Sequence, residues 1–350
     1  MNIVILAGGT GRRLWPVSSK ILPKQFIDIF GAGESLLQTA AMRAARVVGE
    51  GHVIVVTHQE YADIAREQLP WLAEGHLLAE PVHRNTCPAA AWAAHRVMQE
   101  EGDDGVVVFM PADQIILHED RFEASLRQGE AFVKANDTVL TMGATPTRTE
   151  PGYGYIQFDG GESDNSGIYN IRSFVEKPER EFAKMLIESG EFLWNTGIYM
   201  GRVGYVREQF KALLPYVLRD MRGDFSLERD FIRENYSKYP NLSLDLAILE
   251  KMPVRSVMHC DFGWADIGTW HGIYEAMPND PDDNVIVNTK STVIADNAHY
   301  NVVALESGKL AILSGIEGMI VAERGNTLLI CPKGDSSAPV RKFLAMVENM

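Results

Sequence analysis

Short β-branched apolar runs alternate with helix-period segments along the first part of the chain, and few folds accept that alternation. Ile3–Ala7 reads as a buried strand, Ser35–Val48 as a helix, Val53–Thr57 as a strand, Glu60–Leu69 as a helix and Leu77–Glu80 as a short strand. Pro88–Glu101 is alanine-rich and helical, with Thr86 as its cap. Val106–Met110, Arg121–Ala135 and Thr138–Gly143 continue the series as strand, helix and strand. The pattern predicts an α/β, Rossmann-like fold with a mainly parallel mixed sheet flanked by helices. Ligands of such sheets sit beyond the carboxyl ends of the strands, so chemistry is expected in the loops after Ala7, Glu80 and Met110.

Between Pro151 and Met277, strand-like and helical stretches interleave, which suggests a second wall for the same site. After the turn-rich NDPDDN segment (Asn279–Asn284) the character changes. Apolar doublets and triplets recur from Val285–Val287 to Leu328–Ile330, separated by Asn, Gly and Ser. They predict short strands in a small β-solenoid-like or sandwich domain, closed by a helix over Val340–Val347. The expected domains are therefore 1–280, catalytic, and 281–350, β-rich. A length of 350 residues agrees with two domains of roughly 150 residues as a rule of thumb.

Charge narrows the partners. Acidic residues number 47 and basic residues 33, a formal net charge of −14. Such a chain is a poor non-specific binder of nucleic acid or anionic membrane. Cys87, Cys260 and Cys331 are scattered, odd in number and without zinc-ligand spacing, so reduced thiols and a cytoplasmic location are expected. No run approaches the ~18 apolar residues of a transmembrane helix. In MNIVILAGGTGRR the charges follow the apolar run, the reverse of a signal peptide.

The scarce cations gather in one place. LAGGTGRRLWPVSSKILPKQF (Leu6–Phe26) sets a glycine-rich turn directly after the first strand, then Arg12, Arg13, Lys20 and Lys24. Such a turn lets backbone amides approach a phosphate. It is neither a dinucleotide fingerprint, since Leu14 stands where the third glycine belongs, nor a P-loop. Charge runs are usually solvated faces, but here Pro16 and Pro23 restrict the loop and favour a use.

These residues carry a resemblance. AGGTGRRLWP followed by PKQF is similar to the sugar-nucleotidyltransferase superfamily, and among its branches most resembles the mannose-1-phosphate guanylyltransferases. RNTCPAA (84–90), FMPAD (109–113), GYGYI (152–156), FVEKP (174–178), WNTGIYM (194–200) and WADIGTW (264–270) follow in that family's order, so the likeness covers about residues 1 to 275. It implies a GT-A-type nucleotidyltransferase domain. It also implies transfer of a guanylyl group from GTP to α-D-mannose 1-phosphate, giving GDP-mannose and pyrophosphate by direct attack on the α-phosphorus. The alternatives are another sugar 1-phosphate such as a heptose phosphate, another nucleotide such as UTP, or a silent sugar-nucleotide sensor.

Carried over residue by residue, the resemblance assigns Asp113 and Asp266 to Mg²⁺. Arg13 and Lys24 are assigned to the phosphates, with Arg12 standing where relatives often have a small polar residue. Ala7, Gly8, Gly9, Gly11, Glu80, Arg84, Asn85, Thr86, Arg13 and Asp113 are assigned to the nucleotide. Gly154, Glu176, Lys177 and Asn195 are assigned to the sugar phosphate. A carboxylate suits the N1–H and N2–H₂ donors of guanine, and Glu and Asn suit vicinal hydroxyls. Glu176 and Lys177 can share a ligand only if the strand ends there, as Pro178 suggests. All reacting groups are anions, so charge neutralisation and positioning carry the catalysis, and no protein nucleophile is required. Gln114 replaces the family's frequent His, and Ser19, Lys20, Leu244 and Leu246 are further departures. Long relatives add a cupin-type isomerase domain; with the chain ending at Met350, no isomerase activity is expected. The β-rich tail is the expected homodimer contact.

Overall fold

In a computed structural model of the chain, the apolar runs become strands of one nine-stranded sheet. The structure describes residues 1–160, 166–219, 225–334 and 338–348. The strands are β1 (Asn2–Leu6), β2 (Val53–His58), β3 (Leu77–Glu80), β4 (Val106–Pro111), β5 (Gln114–Ile116), β6 (Val139–Ala144), β7 (Gly154–Phe158), β8 (Ile168–Glu176), β9 (Phe192–Arg202), β10 (Arg255–Cys260) and β11 (Trp264–Asp266). The large sheet runs β3-β2-β1-β4-β9-β6-β10-β8-β7, and β5 pairs with β11 in a separate two-stranded ribbon.

The expectation of a mainly parallel sheet holds for only part of it. β3, β2, β1 and β4 are parallel neighbours, as are β6 and β10. β9 pairs antiparallel with β4, β6 and β7, and β8 pairs antiparallel with β7 and β10. The physical reason lies in the connections. The first four large-sheet strands are separated by α1 (Leu36–Val48), α2 (Ala62–Gln68) and α3 (Thr86–Glu101), which supply parallel crossovers; β7 and β8 pair directly with each other, with no helix among the described residues between them. Ile3, Val4 and Ile5 of β1 are completely buried, the mark of a strand covered on both faces.

α3 begins two residues before the predicted start, and its cap is Asn85, not Thr86. Asn85 Oδ1 accepts the Thr86 amide at 2.9 Å. The Thr86 hydroxyl accepts the Leu244 amide at 2.8 Å instead. Ala89, Ala90, Ala91, Ala93 and Ala94 are all buried, so small side chains let α3 lie close to its neighbours in the core. α4 (Glu119–Ala135) follows β5.

Packing divides the chain differently from a cut at residue 280. One unit is Met1–Gly8, Ala41–Pro111 and Ile116–Trp264; the other is Gly9–Ala40, Ala112–Ile115 and Ala265–Met350. Within the second unit, Leu14, Ile27 and Ile29 share a core with Ile267, Trp270, Val285, Val302 and Ile320. The segment after the glycine turn has only single-turn helices, so its apolar side chains find their core in the C-terminal strands.

Those strands are β12 (Val285–Ile286), β13 (Thr292–Asp296), β14 (Val302–Ala304), β15 (Leu310–Ser314), β16 (Met319–Arg324) and β17 (Thr327–Pro332). They form two sheets, β12-β14-β16-β17 and β13-β15. β12, β14 and β16 are parallel, as are β13 and β15, while β17 returns antiparallel on β16. Buried asparagines join successive turns: Asn284 Nδ2 donates to the Ala298 carbonyl at 2.8 Å, and Asn301 Nδ2 to Asn284 Oδ1 at 2.9 Å. Among the described residues no helix is long and apolar enough to cross a membrane. The three cysteines are buried and free.

Candidate active site

The chain first passes from one unit to the other within the glycine turn, between Gly8 and Gly9. In the second unit, Gly11 is left-handed at φ +60°, and a Cβ there would lie 2.7 Å from the Lys24 amide nitrogen. Only glycine lets the turn close against Lys24. Two side chains hold the turn from below. Ser18 Oγ donates to the Gly11 carbonyl, and Gln25 Nε2 donates to the Gly9 carbonyl at 2.7 Å.

Lys24 is buried, 6% exposed, a costly place for an ammonium unless it is paired. Its Nζ lies 2.5 Å from Asp113 Oδ2 and 3.9 Å from Asp266 Oδ1, and donates to the Ile267 carbonyl at 3.3 Å. Asp113 directly precedes β5 and Asp266 ends β11, so the β5–β11 ribbon carries both carboxylates. A single cation thus already touches two aspartates far apart in sequence. Hard carboxylate oxygens with few other protein donors suit a divalent cation. At Gly268 a Cβ would lie 2.8 Å from Asp266 Oδ2 and 3.4 Å from Arg13 Nη2, so the exposed Arg13 guanidinium reaches the same corner.

In the first unit, Glu80 ends β3 and is 4% exposed. Burial raises its pKa to about 7, against the opposing pull of the Tyr236 hydroxyl, which donates to Glu80 Oε1 at 2.7 Å. A Cβ on Gly8 would lie 2.9 Å from Glu80 Oε2, so a side chain there would crowd the carboxylate. Ala7 is buried, and its carbonyl accepts the Thr57 hydroxyl at 2.9 Å. Asn85 holds φ +64°. Arg84 gives Nη2 to the Ser237 carbonyl, which ties the loop before α3 to the turn containing Tyr236.

The sugar-assigned residues also meet within this unit. Gly154 is the register partner of Glu176, and its missing Cβ would lie 3.0 Å from Glu176 Oε2 and 3.3 Å from Asn195 Cβ. β8 ends at Glu176, and Lys177 turns with φ +44°, which brings its ammonium onto the Glu176 carboxylate. The strand end needed for these neighbours to share a ligand is therefore present. Asn195 Nδ2 donates to Asp245 Oδ1 at 2.9 Å, and the buried Tyr199 hydroxyl also donates to Asp245. Burial first, then Asp245, pushes the Tyr199 phenol well above its usual value. Burial also raises the Glu250 pKa, helped by the nearby Asp245 and Glu176 carboxylates.

A model of the nucleotidyl transferase family matches residues 2–283. The chain belongs to this family. It is 32% identical to a mannose-1-phosphate guanylyltransferase of Escherichia coli and 31% identical to one of Klebsiella pneumoniae, in each case over 99% of this chain and 74% of the relative. A crystal structure described as a mannose-1-phosphate geranyltransferase from Thermus thermophilus superposes with a TM-score of 0.87 at 27% identity, covering 99% of both chains.

Within this nucleotidyl transferase, sequence reasoning overlooked Tyr236, Asp245 and Tyr199. Asp245 lies inside the segment SLDLAILE and carries no spacing signal of its own. Gly154→Ala places a methyl group against Glu176 and Asn195. The variant is expected to fold normally and to raise the KM for the sugar phosphate at least about tenfold, with little change for the nucleotide. That tenfold corresponds to about 1.4 kcal/mol, a modest loss of hydrogen-bond geometry. Initial-rate kinetics with each substrate varied in turn check it.

Proposed function

We propose that the chain transfers a guanylyl group from GTP to α-D-mannose 1-phosphate, giving GDP-mannose and pyrophosphate. The observation that carries the reading is the buried Lys24 touching both Asp113 and Asp266 beside a glycine turn. Asp113 and Asp266 would hold the divalent ion, which we take as Mg²⁺; when bound, it supplies positive charge to the phosphate oxygens. Arg13 and Lys24 add fixed cations, and the Gly9 and Gly11 region offers backbone amides to the triphosphate. An oxygen of the sugar phosphate attacks the α-phosphorus in line. The new P–O bond forms as the bond to the β-phosphate oxygen breaks, and pyrophosphate leaves with that electron pair.

Glu80, as a carboxylate, accepts the two adjacent N–H donors of guanine. Ala7, Gly8, Arg84, Asn85 and Thr86 belong to the same nucleotide subsite, in which Thr86 and Arg84 act by fixing the loop. Gly154, Glu176, Lys177 and Asn195 take the sugar phosphate: Glu176 and Asn195 the hydroxyls, and Lys177 the phosphate.

A panel of GTP, ATP, UTP and dTTP against mannose, glucose and heptose 1-phosphates, read by pyrophosphate release, tests the assignment. GTP with mannose 1-phosphate is expected to give the highest kcat/KM. A preference for UTP or for a heptose phosphate would overturn the specificity. Binding of GDP-mannose with no turnover of any pair would make the protein a sensor.

We further propose a cytoplasmic homodimer. Ile294, Leu310 and Ile312, exposed on the β13–β15 sheet, support a contact between copies. The side-by-side register of Val285, Val302 and Ile320 supports a solenoid-like reading of the tail.

A further inference from the structure

His58 ends β2, Glu60 lies in the single turn Gln59–Tyr61 that follows, and His83 lies in the loop between β3 and α3. One ligand atom from each comes within 4.8 Å of the others. The guanylyl transfer uses none of the three. We propose that this cluster is a second cation site, built for Zn²⁺ or a similar transition ion, and made of different residues from the Asp113–Asp266 pair.

The donor chemistry selects the ion. Two imidazoles and one carboxylate suit zinc, cobalt or nickel, whereas Mg²⁺ prefers an all-oxygen shell. With Zn–N bonds of about 2.0–2.1 Å in tetrahedral geometry, two ligands of one ion lie about 3.3 Å apart. The cluster therefore contracts by up to about 1.5 Å when the ion binds. His58 is the fixed member: it is buried and meets the Tyr61 ring edge-on at 5.9 Å. Glu60 and His83 are exposed. The His83 ring is stacked on His58 at 4.0 Å, with 15° between planes. A metal lies in the plane of each ring it binds, so His83 turns about its Cβ–Cγ bond when the ion enters.

The Glu60 amide donates to His58 Nδ1 at 3.3 Å, so that nitrogen presents its lone pair on the Glu60 side. Glu60 Oε2 lies 3.4 Å from the same nitrogen. An ion bound at Nδ1 takes the lone pair from the Glu60 amide and gains the carboxylate beside it. The site also has a structural consequence. His58 is the register partner of Glu80, and His83 directly precedes Arg84, so an ion here would pin the loop that starts from Glu80.

The test titrates the full chain with Co²⁺ in excess Mg²⁺, followed by visible d–d absorption and by calorimetry. One equivalent is expected to bind, and His83→Asn or Glu60→Gln each to weaken it at least about tenfold, the low end for disturbing a metal's ligand shell. Both substitutions are at exposed positions, so the fold is retained. Absence of Co²⁺ binding at micromolar concentration would overturn the proposal. So would unchanged affinity in both variants, or binding lost in Asp113→Asn and intact in His83→Asn.

Discussion

Asp113→Asn and Asp266→Asn are each expected to lower kcat at least about 10²-fold, on the scale of removing one key electrostatic group from a preorganised site. Asparagine keeps the size and removes the charge. The double variant is expected to fall little further than the worse single one, because in the proposed site both carboxylates hold the same ion. Alanine at 113 adds a second effect. It strips the buried Lys24 of its 2.5 Å partner and is expected to cost about 2 kcal/mol of stability, below the usual loss for a fully buried pair because Asp113 is partly exposed. Turnover near that of the unaltered protein in both asparagine variants, with GTP and Mg²⁺ saturating, would remove the aspartates from the chemistry.

The second large effect is at Glu80, where stability and recognition pull in opposite directions. Its folded pKa stands at about 7, above the ordinary 4.5. The folded carboxyl therefore keeps a proton that the unfolded chain gives up. This group favours folding fully below pH 4.5, and that contribution is lost as pH rises through 7. At about 1.4 kcal/mol per pH unit the cost above pH 7 is roughly 3 kcal/mol. Glu80→Gln is therefore expected to raise unfolding stability at pH 8 by about 2–3 kcal/mol and to flatten its pH dependence between pH 5 and 7. In the proposed nucleotide subsite the carboxylate receives the guanine N–H donors, so the same change is expected to weaken GTP binding at least about tenfold. In the unaltered protein GTP affinity should fall as pH drops below 7. Denaturant unfolding at several pH values, paired with calorimetric GTP titrations, reads both effects. A stability difference that does not change with pH would show that Glu80 is not the titrating group.

The strands and helices were legible wherever pattern and burial coincide. Val53–Thr57 and Leu77–Glu80 fall where the apolar runs place them, and the strand-end rule pointed to the loops after Glu80 and Met110, in which the resemblance then singled out residues. Four features were not legible. The antiparallel placing of β9 depends on which strands it joins, and its own alternation is silent on that. The sharing of a core between Leu14, Ile27 and the C-terminal strands is tertiary, because a loop's apolar residues do not announce their partner. Tyr236 sits 156 residues from the Glu80 it serves, and its lone hydroxyl carries no periodic signal. Asp245 is similar: its role comes from meeting Asn195 and Tyr199.

Crystals grown with GTP and Mn²⁺ in place of Mg²⁺ locate the ion, because manganese scatters anomalously. One strong peak is expected within about 2.2 Å of a carboxylate oxygen from both Asp113 and Asp266, a distance set by hard cation–oxygen bonding. A principal peak that touches neither aspartate, or only one of them, would contradict the account.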